Sequence, residues 1–499
     1  MLNRFLLFGL GLFSLFFWSC REDQAIAGGN LDLRFSTDTV FLDTVFETIG
    51  SSTYALKVYN DGNQKVEISQ VALANPASPY RINVNGSAAR QVTNVEILPR
   101  DSIYVFVEVT PAELPGQGQM VVTDQLLFQG RNGEQQAVEL VTLAQEAVFH
   151  FPNRFLSIGS GENAVIVPYS LLSQSETWDG SIPHVIYGYL IVDSAATLNI
   201  QPGTNVHFHQ NSGLWIFNDA QLKVAENAFP GQGDSVTFSS DRLEPGFENN
   251  AGQWGGVLGG IYLGQRARAV VNNAVIKNAT TGLRTDSAVF NDQLSLTNSY
   301  ILNCSRTGLF SGYSAVEADN VILANCGLYT FYAFGGNYRF RHCTFANFWT
   351  GNTRQEPAVF LTNFIDSEDG SGQSVRIVRD LENAYFGNCI ISGNNENEFN
   401  FGEDPAGLMN FQFNNAALKL ANDPEDRDFD VNGPRFNNVQ VNATLDFRNV
   451  DNNRYALDSL SQVVNQGNTG DAQQLPSDIY GNPRNFNSVP DLGAIERQF

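Results

Sequence analysis

Apolar and polar residues alternate in short runs along most of the chain, and between residues 272 and 394 these runs repeat. An Asn follows an apolar pair in five similar strings, NNAVIKNA, TNSYILNC, NVILANC, HCTFANF and CIISGN. The five residues are Asn278, Asn303, Asn325, Asn347 and Asn394, at spacings of 25, 22, 22 and 47 residues. Such periods are typical of stacked architectures, and the β-branched and aromatic residues of each unit favour strands.

We therefore predict an all-β fold dominated by a right-handed parallel β-helix. Equivalent side chains of successive coils would lie about 4.8 Å apart in such a fold. The five Asn residues should then form a ladder in which amide side chains hydrogen-bond from coil to coil. Polar insertions at 366–376 and 394–405 predict loops that leave one side of the coils.

Residues 31–146 show the period-two alternation of strands, in runs such as YALKVYN, KVEISQVAL and SIYVFVEVTP. Turn formers such as Asn85-Gly86 separate the runs. This spacing predicts an antiparallel β-sandwich. The strings LKVYNDGNQKVEISQVAL and QLLFQGRNGEQQAVELV resemble the immunoglobulin-like (Ig-like) modules of bacterial surface proteins. The resemblance implies a spacer or presentation role without chemistry of its own.

Residues 147–450 are assigned to the β-helix. The string HVIYGYLIVDSAATLNIQPGTNVHFHQNSGLWIFNDAQLKV resembles the opening coils of β-helical lipoproteins of the pectate-lyase-like superfold. Near the C-terminus, SDIYGNPRNFNSVPDLGAIE resembles the terminal segment of many such surface proteins. The resemblance implies that residues 451–499 form an end cap, which an open coil needs because its last strands would otherwise be adhesive edges.

The N-terminus has the pattern of an export signal. Arg4 precedes an uncharged run from Phe5 to Trp18, which is too short to span a bilayer comfortably. The string FWSC resembles a bacterial lipobox, which implies a signal peptide at 1–19, a lipidated Cys20 and a tether at 20–30. A plain signal peptide or a short anchor helix are the alternatives.

The acidic residues Glu22 and Asp23 follow the predicted lipidation site at once. They resemble the surface-export signal of Bacteroidetes-type lipoproteins. The resemblance implies an outer-membrane lipoprotein that faces the cell exterior, and the periplasmic face of that membrane is left open as an alternative.

Composition narrows the choice of partners. The chain has 29 Lys and Arg against 52 Asp and Glu, a formal net charge of −23. Nucleic acid is therefore excluded as an expected partner, because phosphate neutralisation needs clustered basic residues.

Four cysteines lie inside the repeat. An exported protein can form disulfides, but we expect these four cysteines to be buried free thiols that stack in a ladder. These cysteines are Cys304, Cys326, Cys343 and Cys389.

Two patterns could hold a metal ion. Asp426, Asp428 and Asp430 alternate, and oxygen ligands at alternate positions suit Ca²⁺. The run departs from the EF-type loop, so a solvated acidic loop is the simpler interpretation. His207 and His209 share one strand face and could begin a metal site, although hydrogen-bonded strand histidines are more common. Calcium is the one cofactor that the sequence suggests.

Aromatic residues give the candidate glycan contacts, which are Tyr332, Phe334 and Trp349. Rings on an outer face offer flat platforms for sugars, whereas rings on an inner face belong to the core. Strict alternation along the strand places Tyr332 and Phe334 on one face. It places Tyr329 and Phe331 on the other face.

A charged cluster is the candidate for catalysis. Lyases of this shape need a cation to neutralise a uronate and a base to remove its α-proton, and hydrolases need two carboxylates. The cluster supplies these residue types without fixing any distance, so the catalytic residues stay unknown. It comprises Arg339, Arg341 and His342 beside Glu317 and Asp319 one coil earlier.

Four charged residues of the terminal segment are predicted to be structural, with an Arg side chain that binds two carboxylates and holds the cap in place. They are Asp478, Arg484, Asp491 and Glu496.

The favoured function is that of a membrane-anchored, surface-exposed protein that binds or displays glycans or other extended polymers. A polysaccharide lyase or glycoside hydrolase is the first alternative. A structural or adhesive component of the cell envelope is the second. Fold alone does not choose among them, because function depends on a site.

Overall fold

The computed structural model describes residues 31–498 except for a few short ranges. These ranges are 160, 162–163, 232, 289–290, 369–371, 422–428 and 485–488. The described chain is almost entirely β-structure, which confirms the predicted fold class, and it divides into two compact units after Glu146. Cys20, Asp426 and Asp428 lie outside the described residues. Within the described ranges, no helix has the length and hydropathy needed to cross a bilayer.

The first unit consists, in its described residues, of two five-stranded sheets that share one apolar core. The strands of the first sheet, in spatial order, are Arg34–Phe35, Tyr54–Asn60, Asp101–Val109, Tyr80–Val84 and Ser87–Ala88. Those of the second are Thr39–Phe46, Gln135–Gln145, Gln119–Gly130, Val66–Leu73 and Gln91–Ile97. Neighbouring strands are antiparallel except for Thr39–Phe46, which pairs in parallel with Gln135–Gln145.

Alternation along the strands builds this core. In Asp101–Val109, Val105 and Val107 are fully buried, whereas Tyr104 and Phe106 are exposed on the opposite face. Period-two patterning therefore gives the predicted sandwich.

The second unit is a parallel β-helix. In the described residues each coil contributes a strand to three stacks, which we call sheets C, B and A in the order in which the chain visits them. Sheet C contains Val165–Leu172, Tyr189–Val192, Gly213–Ile216, Ile261–Leu263, Thr281–Asp286, Thr307–Gly312, Tyr329–Phe334, Val359–Thr362 and Phe399–Gly402, with Arg154–Ile158 antiparallel at its first edge. Sheet B contains Glu176–Trp178, Thr197–Ile200, Gln221–Val224, Arg268–Asn272, Leu294–Thr297, Ala315–Asp319, Gly336–Arg341, Leu381–Gly387, Gln412–Leu418 and Phe436–Val441.

Sheet A contains Val148–His150, His184–Ile186, Asn205–Phe208, Val236–Ser240, Ala274–Lys277, Tyr300–Leu302, Ile322–Ala324, Thr344–Asn347 and Ile390–Gly393. Sheets A and B merge at Gln412–Leu418, which pairs with the preceding strand of both. An antiparallel hairpin, Phe364–Glu368 with Ser374–Val378, leaves the coils at the first predicted insertion. The second, at 394–405, contains the sheet C strand Phe399–Gly402, which corrects its prediction as a loop outside the coils. Inward side chains such as Leu283, Leu309 and Phe331 stack in register and are fully buried.

The predicted asparagine ladder forms only in part. Asn303 Nδ2 donates to Asn278 Oδ1 at 2.7 Å, as predicted. Asn325 Nδ2 instead donates to Asn453 Oδ1 at 2.8 Å, and Asn347 Oδ1 accepts the backbone N–H of Cys326. Asn394 is out of register, because Gly393 is the residue that pairs with Asn347.

A second Asn column, which the sequence analysis missed, occupies the corner between sheets B and A. Asn298 Nδ2 donates to Asn272 Oδ1 at 2.9 Å, and Asn320 Nδ2 donates to Asn298 Oδ1 at 3.0 Å. The corner requires a left-handed backbone, with φ of 48° at Asn298 and 55° at Asn320. Asn adopts this conformation more readily than most residues, which explains its recurrence.

The four described cysteines are buried and free, as expected for a thiol ladder. Cys304 and Cys326 each follow an Asn of the first column, so they lie one coil apart. A hydrogen bond with Cys326 and burial both raise the pKa of the Cys304 thiol.

The C-terminal segment lies along the side of the coils, which corrects the predicted end cap. It contains the strands Phe447–Asn449 and Arg454–Leu457, a 3₁₀ turn at Val450–Asn452 and the helix Thr469–Gln474. Tyr455, Ile479 and Ala494 pack against Ile322 and Ala324 on the outer face of sheet A. The outer face of sheet A is apolar, and the C-terminal segment covers it. At the last coils, Phe429 and Phe436 stack on each other and pack against the core.

A buried arginine fastens this segment. Arg484 donates to Asn320 Oδ1 at 2.6 Å and to the carbonyl of Ala494 at 3.0 Å, and it lies 3.5 Å from a Glu496 carboxylate oxygen. Asp478 and Asp491 accept backbone N–H groups of the segment itself. The contacts of these four described residues are structural, as predicted. Arg484 joins the segment to a coil through the side-chain amide of Asn320, and it does not form the predicted fork with two carboxylates.

Candidate functional site

The outer face of sheet C carries one residue per coil in a continuous register, which we call the aromatic column. Its members are half-buried and alternate along their strands with fully buried core residues. Five of the six are aromatic, and an arginine occupies the third place. They are Trp215, Tyr262, Arg284, Phe310, Tyr332 and Phe360.

Rings of the column stack along the axis of the coils. The ring centroids of Phe310 and Tyr332 are 5.2 Å apart with planes 4° from parallel, and those of Tyr332 and Phe360 are 5.8 Å apart at 21°. Near-parallel rings at such separations are displaced sideways, because full overlap would bring them closer. Part of each ring face is therefore left uncovered by its neighbour.

Arg284 is held between two of these rings. Its guanidinium carbon lies 5.1 Å from the Tyr262 centroid and 5.5 Å from the Phe310 centroid, within the range of cation–π attraction. Its closest carboxylate contact is Nη2 to Asp286 Oδ2 at 3.7 Å. The Nε atom is buried and has no hydrogen-bond partner among the described residues.

Tyr329 lies on the same outer face as Tyr332, which corrects its predicted position on the opposite face. Its ring lies 5.2 Å from that of Tyr332, and its hydroxyl donates to Glu356 Oε2 at 2.8 Å. Alternation fails at the start of the strand, because Thr330 and Phe331 are both buried and both donate their backbone N–H to Ala358. Burial and the bond to Glu356 raise the pKa of Tyr329.

The column borders a cleft of about 410 Å³, the sheet C cleft. Two arginines are the charged residues of its described lining, which contains no Asp or Glu. The lining consists of Gly256, Val257, Leu258, Gly259, Thr280, Thr281, Arg284, Arg306, Thr307, Phe310, Leu328, Tyr329 and Tyr332. The cleft therefore combines a cationic group, aromatic faces and threonine hydroxyls, which suits a polar ligand with ring-shaped apolar faces.

Stacked glycines let the coils approach beside this column. A Cβ atom on Gly260 would lie 2.9 Å from the carbonyl oxygen of Gly282, and one on Gly282 would lie 2.9 Å from that of Gly308. No larger residue fits there without displacing backbone. The column residue follows each of these glycines by two positions.

A buried ion pair supports the loop that contacts Tyr329 through Glu356. Arg354 and Glu398 form two hydrogen bonds, Nη2 to Oε1 at 2.6 Å and Nη1 to Oε2 at 2.9 Å, and their side chains are 2% and 0% exposed. Glu398 also accepts the backbone N–H of Ala358 at 2.8 Å. The pair thus fixes the ends of the loop that carries Glu356 to the Tyr329 hydroxyl.

The predicted glycan contacts are separated in the structure. Tyr332 belongs to the column, and Phe334 lies on the same outer face. Trp349 lies at a coil corner, donates to Asn352 Oδ1 at 2.7 Å and is not part of the cleft lining. We therefore keep Tyr332 as the central candidate, while contact of the other two with a glycan remains a prediction.

The charged cluster proposed for catalysis is built as two ion pairs on sheet B. Arg341 makes a two-point contact with Asp319 at 2.6 and 2.8 Å and is buried beside the C-terminal helix. Arg339 pairs with Glu317 at 2.7 Å in a more exposed position. His342 is fully buried at the second Asn column and contacts Asn388. These contacts are structural.

The metal candidates gain no support from the described residues, which contain no group of three His, Cys, Asp or Glu side chains that could hold an ion. His207 Nδ1 lies 3.0 Å from the carbonyl of Ser240, and His209 Nδ1 lies 2.7 Å from Asp241. Asp430 accepts hydrogen bonds from Asn432. Since the other two aspartates lie outside the described residues, the calcium site remains a prediction.

A larger cavity of about 720 Å³ is lined by the last coils and by the residues that lead into the C-terminal segment. Its lining is mainly apolar, with residues such as Phe348, Leu418 and Phe447. Lys419, Glu396 and Asp446 are its charged members. The Lys419 ammonium donates to the carbonyl of Gly393.

Most of the aromatic column escaped the sequence analysis, because its members are 22 to 47 residues apart and meet only through strand register. A signal was nevertheless present. The strings GLW, GIY, GLR and GLF each place a glycine, a core residue and a column residue in that order. Their alignment would have revealed the column.

Comparison with known proteins supports the fold. A family model described as a right-handed β-helix region matches residues 191–345. No curated protein matches the chain. A solved catalytic domain of a GH87 α-1,3-glucanase in complex with tetrasaccharides is 11% identical, with 78% of this chain and 92% of that chain covered and a TM-score of 0.23.

Two other solved structures have similarly low identities and TM-scores. The Dettilon tailspike protein is 8% identical, with coverages of 55% and 61% and a TM-score of 0.20. A PapD-like domain of human CEP192 is 11% identical, with coverages of 23% and 84% and a TM-score of 0.16. Similarity this low carries no information about activity. The family model and the strand pairing together establish that the chain contains a right-handed parallel β-helix.

Proposed function

We propose that the outer face of sheet C binds glycans and that this protein is a glycan-binding protein of the cell surface. One observation carries the proposal: the aromatic column is partly exposed on an open sheet face, beside a cleft with polar and cationic groups. Sugar rings present apolar C–H faces that pack on aromatic rings, and hydroxyl groups that hydrogen-bond to arginine and threonine.

The column favours an extended polymer over a small ligand. Its six members follow successive coils, so equivalent contacts recur along the axis at the inter-coil spacing of about 4.8 Å. A chain of sugars laid along the axis could contact several rings at once. Each added contact would strengthen binding without any new kind of interaction.

We further propose that the protein is a lipoprotein anchored through Cys20 at the outer membrane, with an Ig-like first unit as a spacer. The lipobox-like string and the acidic residues after it support this. Growth with a labelled fatty acid should label the wild-type protein and leave Cys20→Ala unlabelled. Protease treatment of intact cells then tests exposure at the surface. A label retained in Cys20→Ala would exclude this anchor.

A glycan array probed with the mature chain tests the binding function. We expect retention of one or more extended glycans, and loss of that retention in Phe310→Ala and Tyr332→Ala. Tyr104→Ala is the matched control, because Tyr104 is an exposed aromatic residue of the first unit. Retention that is equal in all three variants would contradict the assignment of the binding face.

The array products should also be assayed for new reducing ends and unsaturated sugars. Cleavage would replace the binding function with the lyase or hydrolase alternative. Glu396→Gln and Asp446→Asn would then test the larger cavity, whose lining holds both carboxylates. Capture of envelope proteins without any glycan retention would favour the structural or adhesive alternative.

A further inference from the structure

The sheet C cleft is cationic in a strongly acidic protein. The chain carries a formal net charge of −23, yet Arg284 and Arg306 are the charged residues in the described lining of this cleft. A surface of this overall charge repels anionic polymers at long range. Two arginines without an acidic residue in the same lining therefore indicate a local preference for anions that the rest of the protein does not share.

Arg284 has donor capacity that its own surroundings do not use. The contact of Nη2 with Asp286 is 3.7 Å long, well beyond the roughly 2.7–2.9 Å of a charge-assisted hydrogen bond. Its buried Nε has no partner among the described residues. The rings of Tyr262 and Phe310 on either side hold the guanidinium in place, so an incoming acceptor would meet an arginine that is already oriented.

Arg306 provides the second cation at the rim. Its backbone N–H donates to the carbonyl of Thr280, which fixes the start of the strand Thr307–Gly312. Its side chain is exposed and forms no ion pair within the part of the chain that the structure describes. The two guanidinium groups thus belong to adjacent coils beside the half-buried rings of Phe310 and Tyr332.

We propose that the sheet C cleft recognises an anionic sugar, one that carries a carboxylate or sulfate group. The anion accepts hydrogen bonds from Arg284 and Arg306, because guanidinium groups bind carboxylates and other oxyanions at two points. The sugar ring packs on Phe310 and Tyr332. This inference rests on the proposed glycan-binding function and adds the charge of the ligand to it.

The test measures the affinity of the mature chain for four oligosaccharides by calorimetry. They are a uronate hexamer, the same hexamer methyl-esterified at every carboxyl group, a sulfated hexasaccharide and its unsulfated parent. We expect the esterified or unsulfated partner to bind about tenfold more weakly or worse than its charged counterpart, as loss of a charge-assisted contact implies. The pair that shows the difference identifies the anion.

Variants then locate the preference. Arg284→Gln and Arg306→Gln should each reduce the ratio of charged to uncharged affinity while binding of the uncharged partner is kept. Arg339→Gln is the matched control, since Arg339 pairs with Glu317 on sheet B away from the cleft lining. An undiminished ratio in both cleft variants would overturn the inference.

The two proposals fail in different ways. Equal binding of charged and uncharged sugars at the aromatic column would overturn the anion preference alone. Absence of binding by all four sugars, together with an empty glycan array, would overturn the proposed function as well. Thermal melting of every variant shows whether it is folded, and a variant that unfolds is replaced by the corresponding Arg→Lys change, which keeps the charge but loses the two-point geometry.

Discussion

Sheets A and C have the same architecture but opposite surfaces. On sheet A, outward residues such as Ile322 and Ala324 are fully buried beneath the C-terminal segment. On sheet C, outward residues such as Phe310 and Tyr332 are half-buried and border a cleft. The parallel coils supply the same scaffold to both, so the outward residue in each strand decides whether a face is closed by its own chain or left for a ligand.

The comparison also shows why a β-helix can separate stability from binding. Inward columns hold the coils together, and the sheet A face adds the contacts of the C-terminal segment. The aromatic column contributes less to the core, so its residues can be changed with smaller losses of stability. The following substitutions test this division, from the largest expected effect to the smallest.

Removal of Glu398 should cause the largest loss. Glu398→Leu leaves the Arg354 guanidinium buried without its carboxylate partner, and breaking a buried pair in this way costs about 3–5 kcal/mol. Chemical denaturation of the mature chain measures the change. The control is Glu317→Leu, which breaks the exposed pair with Arg339 and should cost less than about 1 kcal/mol. Similar values for both would mean that the loop carrying Glu356 does not depend on the buried pair.

Truncation on the covered face should have the next largest effect. Ile322→Ala removes a fully buried side chain between sheet A and Tyr455, at an expected cost of about 2–5 kcal/mol. The segment after residue 450 should then become more accessible to limited proteolysis. Tyr332→Ala on sheet C is the comparison variant, and it should leave that proteolysis rate unchanged. A protected segment in Ile322→Ala would contradict its role as the cover of sheet A.

The Asn ladder should contribute a smaller amount. Asn303→Leu removes the amide that donates to Asn278 Oδ1, and the unpaired acceptor should cost about 1–3 kcal/mol. Asn394→Leu is the control, because Asn394 is out of register and its side-chain amide donates to the carbonyl of Trp349 instead of to another Asn side chain. If the two variants melt at the same temperature, the ladder does not stabilise the coils.

The smallest effect on stability, but the clearest effect on binding, is expected in the aromatic column. Phe310→Ala loses one stacked pair, worth roughly 0.5–1.5 kcal/mol, and one sugar platform. We expect about a tenfold loss of glycan affinity, equivalent to about 1.4 kcal/mol, with the coils intact by circular dichroism. Phe106→Ala in the first unit should change neither affinity nor the β-helix.

The fold could be predicted because its signals are local and repeated. Apolar pairs followed by Asn at a regular spacing reveal the coil, since Asn tolerates the left-handed backbone found at corners such as Asn278, Asn303 and Asn325. Which side chains of a strand point outward is harder to predict. Strict alternation placed Tyr329 on the face opposite Tyr332, and it fails where Thr330 and Phe331 both turn inward.

The candidate site was predicted only in part for the same reason. Tyr332 was identified, but Arg284 and Phe310 come from other coils, and only the register places them beside it. The path of the C-terminal segment was also beyond a local pattern. The apolar outward residues of sheet A are indistinguishable in sequence from core residues until the cover, held by Arg484 on Asn320, is known.

Hydroxyl-radical footprinting of the mature chain, with and without a glycan retained on the array, tests the central claim most directly. The account predicts protection of Phe310, Tyr332 and Phe360 on sheet C, with Tyr104 and Phe106 of the first unit unchanged. Protection confined to the first unit, or an unchanged oxidation rate at all three column residues while the glycan is bound, would contradict it.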